Sequence, residues 1–228
     1  MNNLIRQPFK YSYSHVVYWL IGINLLIFAV MHFFGNNIIP VVIRGERFNM
    51  SLYDFFYVFF SMRPLTVVNG WVWTFITYMF LHGGIRHILF NMLGLFIFGT
   101  HVEKQFGSRE FLLYYLLTGA LAGVFSFVIY FITGSMNVAL VGASGALYAV
   151  MFAYAVLFPD SIIYIWGILP LRAPIMVLGF TALSIVFMIT GAQGNVAHIT
   201  HLAGFGFGWL YIFVRFGVNP WRRLTRRY

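Results

Sequence analysis

Ser144 and His201 are the two residues best suited to do chemistry. A serine hydroxyl is a poor nucleophile until a base takes its proton, and a neutral imidazole can be that base. Ser144 lies in Gly142-Ala143-Ser144-Gly145. The small neighbours leave room for a substrate backbone and expose the Ser144 backbone N–H. Taken alone, the tetrapeptide also reads as a small-residue helix contact of the kind common in membranes. His201, Gly204 and Gly208 are spaced i, i+3 and i+7 and therefore share one helix face. Gly145, Ala149 and Ala153 form a complementary stripe beside Ser144. The same register separates His201 from His198, whose nearby glycines, Gly191 and Gly194, only precede it. His198 is therefore expected nearer the outer surface, with at most a substrate contact. His87 and Asn91, at i and i+4, project to one point and can both donate hydrogen bonds. Such donors could hold the oxyanion of a tetrahedral intermediate. The alternative is a polar contact that joins helices. A metal trio of His82, His87 and His201 lacks a carboxylate at comparable depth.

These residues must be positioned by membrane helices. Of 228 residues, 61% are hydrophobic and only 8% charged; a soluble domain carries roughly 25% charged residues. Six apolar runs, about 16–34, 85–102, 111–133, 138–158, 173–190 and 196–216, each approach the ~20 residues that cross hydrocarbon. Ser144, His87, Asn91 and His201 all fall early in the second, fourth and sixth runs, at one depth near one face. Ionisable groups are costly in lipid, so a shared depth points to a site. The net charge is +9, with Arg215, Arg222, Arg223, Arg226 and Arg227 gathered at or after the last run. That suits anionic lipid better than nucleic acid. Arg6, Lys10, Lys104, Arg109 and Arg172 would also be inside if both termini are cytoplasmic, while Arg44, Arg47 and Arg63 sit in the first outside loop. The long connection from Gly35 to Trp73 holds the aromatic run Leu52–Phe60, read as an interfacial segment. With no cysteine, disulfides and thiolate chemistry are excluded. Residues 1–14 lack a signal-peptide layout.

Three motifs carry a resemblance that covers nearly the whole chain. His82-Gly83-Gly84-Ile85-Arg86-His87-Ile88-Leu89-Phe90-Asn91, Gly142-Ala143-Ser144-Gly145, and Ala197-His198-Ile199-Thr200-His201-Leu202-Ala203-Gly204-Phe205-Gly206-Phe207-Gly208 occur in that order on the second, fourth and sixth spans. Together they resemble the rhomboid intramembrane proteases. The resemblance implies an all-α, six-span membrane domain: a cytoplasmic segment 1–15, a helical core 16–216 and a basic tail 217–228. It implies a Ser144–His201 dyad without a third carboxylate, and an oxyanion hole made by His87, Asn91 and the Ser144 N–H. Tyr148 matches a tyrosine that stacks near the catalytic histidine. Gly142, Gly145, Gly204 and Gly208 support the site, and His82 is a second-tier candidate at a water-filled mouth. Glu103-Lys104 and Gly107 match a structural junction. Substrates would be transmembrane helices weakened by small or helix-breaking residues, in a bacterial cytoplasmic membrane, with no metal or soluble cofactor. One departure is Trp73-Thr74, where some members carry Trp-Arg. Two rival readings are an inactive rhomboid-like escort of membrane clients, which usually lacks the serine or the histidine, and a small transporter, whose polar groups would spread through the membrane depth.

Overall fold

The computed structural model describes residues 9–43, 45–165, 167–190 and 195–224. Arg6, Arg44, Gly191, Gly194, Arg226 and Arg227 lie outside the described residues. The first span is α1 (Val16–Phe33). A hairpin of β1 (Ile38–Ile43) and β2 (Glu46–Ser51) follows, then α2 (Leu52–Phe60), α3 (Pro64–Val68) and α4 (Thr74–Thr77). The second span joins α5 (Ile85–Gly94) and α6 (Thr100–Phe106) through a π-helical turn at Leu95–Gly99. The third and fourth are α7 (Ser108–Ile132) and α8 (Ser144–Leu157). A second hairpin, β3 (Ile162–Ile165) with β4 (Leu169–Arg172), precedes α9 (Ala173–Thr190), α10 (Asn195–Phe216) and the short α11 (Pro220–Leu224). Among the described residues, five helices are long and apolar enough to cross a membrane, and α8 is a shorter apolar sixth. The chain is an all-α, multi-pass membrane bundle.

Helix α8 explains how the bundle is organised. Hydropathy predicts a fourth span from Val138, but the helix begins at Ser144 itself. Residues before it run extended, with Met62 and Leu140 paired through their backbones and the Gly142 N–H donating to the Tyr78 carbonyl at 2.9 Å. Backbone that is not helical is tolerated at membrane depth when protein encloses it. Enclosure is what α8 has: nearly its whole length, from Gly145 to Val156, is buried apart from Tyr148. A helix surrounded by α7, α9 and α10 need not match the bilayer thickness.

The two hairpins are additions to the sequence expectation. β1 and β2 pair antiparallel from Ile38↔Ser51 to Ile43↔Glu46. β3 and β4 pair from Ile162↔Arg172 to Ile165↔Leu169. In β3, Ile163 and Ile165 pack on the core while Ile162 and Tyr164 face outward, the two-sided alternation of a strand. The aromatic run Leu52–Phe60 forms α2, capped by Ser51, whose hydroxyl accepts from the Asp54 N–H.

The departure at Thr74 has a local explanation. Thr74 is buried, and its hydroxyl donates to the Trp71 carbonyl. The first loop is braced instead by Trp73, whose indole N–H donates to the Phe59 carbonyl at 2.9 Å, and by a stack of Phe59, Trp71 and Trp73. Thr77 adds a hydroxyl bond to the Phe60 carbonyl.

Glu103 ties the first span to the second. Its carboxylate accepts from the Val16 N–H at 2.7 Å and the Val17 N–H at 3.1 Å, and from the Ser108 hydroxyl. The first N–H groups of a helix have no intrahelical carbonyl, and a negative charge there also meets the positive end of the helix dipole. Ser108 in turn accepts from the Ser14 N–H. Gly107, at φ +81, approaches the Ser12 carbonyl so closely that a Cβ would sit 3.3 Å from it. Glu103→Ala strands several buried donors, so it should destabilise the fold by roughly 2–3 kcal/mol, and Glu103→Gln by less. Thermal unfolding of the purified protein in detergent checks this. Equal midpoints for wild type and Glu103→Ala would count against the tie.

Candidate active site

The nucleophile candidate is placed by a turn. Gly142 adopts φ +113, a conformation that favours glycine, and turns the extended segment into α8. A Cβ on Gly142 would lie 2.5 Å from His87 Nε2, so the absence of a side chain also lets the His87 ring lie over the turn. Ser144 is the first residue of α8. Its N–H belongs to the first helical turn, which carries the positive end of the dipole.

α10 brings the imidazole. A Cβ on Gly204 would stand 2.1 Å from the Gly145 carbonyl oxygen, and one on Gly208 would stand 3.1 Å from Ala149 Cα. The two helices therefore touch through the stripe of small residues read from the sequence. That contact sets His201 Nε2 2.9 Å from Ser144 Oγ. The Tyr148 ring stacks on His201, with centroids 4.0 Å apart and planes 12° apart. His201 Nδ1 has no hydrogen-bond partner in the structure. The buried acids are committed elsewhere: Glu103 caps α1, and Glu110 pairs with Arg215 and accepts from the Tyr211 hydroxyl.

The second span completes the surroundings. It meets α8 through His87 at Gly142 and through Gly94, where a Cβ would lie 2.9 Å from Leu147 Cδ2. Asn91 lies between those two contacts and is buried. Its amide donates to the His87 carbonyl at 2.8 Å, which uses one of its two N–H groups.

Two histidines sit differently from the sequence expectation. His82 does not line a mouth. It is 1% exposed and packs edge-on to His87, with ring centroids 5.0 Å apart. Burial, followed by the proximity of His87, pushes its pKa down to about 3, so it is neutral near pH 7. His198 is also buried rather than near a surface, against Phe187 and edge-on to His201 at 6.0 Å. It makes no bond to Ser144. Among the described residues no three histidine, aspartate or glutamate side chains are grouped as metal ligands.

The sequence reading passed over a hydroxyl layer behind the nucleophile. Thr200 and Ser126 share a hydrogen bond at 2.7 Å, and Thr200 Cγ2 lies 3.0 Å from where a Gly145 Cβ would be. Tyr78 donates to the Gly119 carbonyl at 2.7 Å. Thr200 adjoins the histidine in sequence, but Ser126 and Tyr78 come from other elements. No spacing rule links them.

Residues 69–218 match the Rhomboid domain family model. The chain belongs to the rhomboid family. Among rhomboid relatives it is 35% identical to the rhomboid protease GlpG of Haemophilus influenzae over 132 residues, 58% of this chain and 65% of that protein. It is 31% identical to YdcA of Bacillus subtilis over 152 residues, 66% of this chain and 70% of that protein. A plant rhomboid, RHOMBOID-like protein 12, mitochondrial, of Arabidopsis thaliana, is 33% identical over 151 residues, 60% of this chain but only 44% of its own length. The matched region of the rhomboid model spans the second to sixth spans, and thus every candidate site residue.

Proposed function

We propose that this rhomboid is an intramembrane serine endopeptidase acting through a Ser144–His201 dyad. The observation that carries the reading is the 2.9 Å contact between Ser144 Oγ and His201 Nε2, held under the Tyr148 ring. With its proton on Nδ1, His201 accepts the Ser144 proton at Nε2 as the hydroxyl attacks a scissile carbonyl. The oxyanion that forms is held by the Ser144 N–H, the free Asn91 N–H and the His87 ring. His201 then gives its proton to the departing amine, leaving an acyl-enzyme. Water, deprotonated by His201, releases the acyl group and restores the serine. No metal or soluble cofactor enters these steps.

The substrate class follows from where the dyad lies. Ser144 opens α8 and His201 lies in the first half of α10, both within a membrane bundle, which favours a membrane protein as the source of the reacting bond. A transmembrane helix weakened by small or helix-breaking residues could extend locally and reach the serine. The positive residues Lys10, Lys104, Arg109, Arg172, Arg222 and Arg223 favour cytoplasmic termini, with the dyad toward the outer face of a bacterial cytoplasmic membrane. An inactive escort would have no need of the serine–histidine contact that is present.

Asn91→Ala tests the oxyanion assignment. Removing one such donor typically lowers kcat by roughly 100- to 1,000-fold. In liposomes holding a fluorescent model transmembrane substrate, Asn91→Ala should show that loss with KM little changed. Cleavage at the wild-type rate would remove Asn91 from the oxyanion hole. Failure of the wild type to cleave any such substrate would remove the proposal itself.

A further inference from the structure

His201 Nδ1 has no hydrogen-bond partner in the structure. The place of its ring therefore depends on the Tyr148 stack and on how α10 is seated. Thr200, Gly204 and Gly208 are spaced i, i+4 and i+8 and form one stripe of α10. That stripe meets α8. Thr200 Cγ2 lies 3.0 Å from where a Gly145 Cβ would stand, and a Cβ on Gly204 would meet the Gly145 carbonyl. Contacts between glycines bring helices close but carry no direction, so they resist separation better than rotation. His201 follows Thr200 and sits about 100° further round the helix. A small turn of α10 therefore carries the imidazole sideways past Ser144.

The Thr200 hydroxyl supplies the missing direction. Thr200 is 1% exposed, and its hydroxyl lies 2.7 Å from that of Ser126 on α7, which is fully buried. Ser126 donates its own proton to the Ala122 carbonyl at 2.9 Å, so Thr200 is the donor to Ser126. Tyr130, one turn further along α7, hydrogen-bonds to the same pair. Ala122 completes the junction, its Cβ 3.2 Å from where a Gly145 Cβ would stand. α7, α10 and the start of α8 thus meet beside Ser144. A serine in a helix commonly bonds back to its own helix. Ser126 already does so, and its second bond, to Thr200, ties one helix to another.

We propose that Thr200, through its hydroxyl bond to Ser126, is a positioning residue that fixes the rotation of α10 and so holds His201 on Ser144. This rests on the dyad reading above. Valine at position 200 keeps the shape of threonine and its methyl against Gly145, and removes only the hydroxyl. Ser126 still has the Ala122 carbonyl, so the change strands no donor on it.

The experiment measures kcat and KM on a model transmembrane substrate in liposomes, the rate of fluorophosphonate labelling of Ser144, and thermal unfolding. The proteins are wild type, Thr200→Val, Ser126→Ala, their double variant and Thr200→Ser. Thr200→Val should lower kcat roughly 10- to 100-fold, the upper figure being the cost of a displacement of about 1 Å, with KM little changed. The labelling rate should fall with it, since the probe reports activation of the serine without a transmembrane substrate. Ser126→Ala should show the same loss, and the double variant no more than either single change, because both remove one bond. Thr200→Ser keeps the hydroxyl and should keep most of kcat. Wild-type kcat in a folded Thr200→Val overturns the proposal, even if its thermal midpoint falls. A loss in Thr200→Ser equal to that in Thr200→Val assigns the effect to the methyl and also overturns it, as do additive losses in the double variant. A wild type that neither cleaves nor labels at Ser144 removes the dyad reading itself, and this proposal with it.

Discussion

His201→Ala should lower peptide cleavage by four to six orders of magnitude, a loss on the order of that seen when the base of a serine hydrolase is removed. The reasoning is geometric. His201 Nε2 is the partner of Ser144 Oγ, at 2.9 Å. No carboxylate or other imidazole bonds to that hydroxyl in the structure. His198 is the natural rival, being three residues away and buried. Its ring stands 6.0 Å from that of His201 and contacts Phe187 instead. His198→Ala should therefore retain activity within about tenfold of wild type, the scale of an indirect packing effect worth about 1.4 kcal/mol. The two variants are measured side by side on a model transmembrane substrate in liposomes, with folding checked by thermal unfolding. The reverse order of losses would mean that the base is His198.

Gly204→Val carries the largest expected structural effect. A Cβ at position 204 would fall 2.1 Å from the Gly145 carbonyl oxygen. That neighbour is backbone at the start of α8, so no side chain can swing aside. The helices must separate, and the cost lies at or above the roughly 3 kcal/mol upper end of ordinary overpacking. Separation also pulls His201 from Ser144, so activity falls with stability. The other glycines of α10 give internal controls. A Cβ at Gly208 meets the Tyr114 hydroxyl at 2.7 Å and Ala149 at 3.1 Å, and one at Gly206 meets nothing within 4 Å. Thermal midpoints should thus fall most for Gly204→Val, less for Gly208→Ala and hardly at all for Gly206→Ala. Equal midpoints across the three would contradict the close contact.

That glycine contact is also why so much was legible in the sequence. Small residues at helical spacing constrain which faces can meet, so the register of His201, Gly204 and Gly208 could be matched to Gly145 and Ala149 before any coordinates. Tyr148 and the Glu103–Gly107 junction came through the family resemblance, and the structure supplies their geometry: a stacked ring and a capped helix. Hydropathy also marked six helices, because lipid leaves the backbone few alternatives.

Other features were not legible, for physical reasons. The run Ile162–Arg172 is short and apolar, and such runs do not distinguish a strand from a buried helical segment by periodicity. The start of α8 was set too early because residues 138–143 are as apolar as a span, yet they are fixed by Met62 and Tyr78, far away in sequence. His82 was expected near water because it precedes a span. Its burial behind His87 depends on how the 81–84 segment folds over α5. The sequence shows that position 74 is not an arginine, but the indole bond and stacked rings that brace the loop at Trp73 appear only in three dimensions.

The central claim is that Ser144 is an activated nucleophile. The most direct measurement is covalent labelling by a fluorophosphonate probe, with the modified peptide identified by mass spectrometry. Wild-type protein in a membrane should carry the probe on Ser144, and Ser144→Ala and His201→Ala should remain unlabelled while still folded. Labelling of Ser144→Ala equal to wild type, or a folded wild type that cleaves substrate yet never reacts at Ser144, would contradict the dyad.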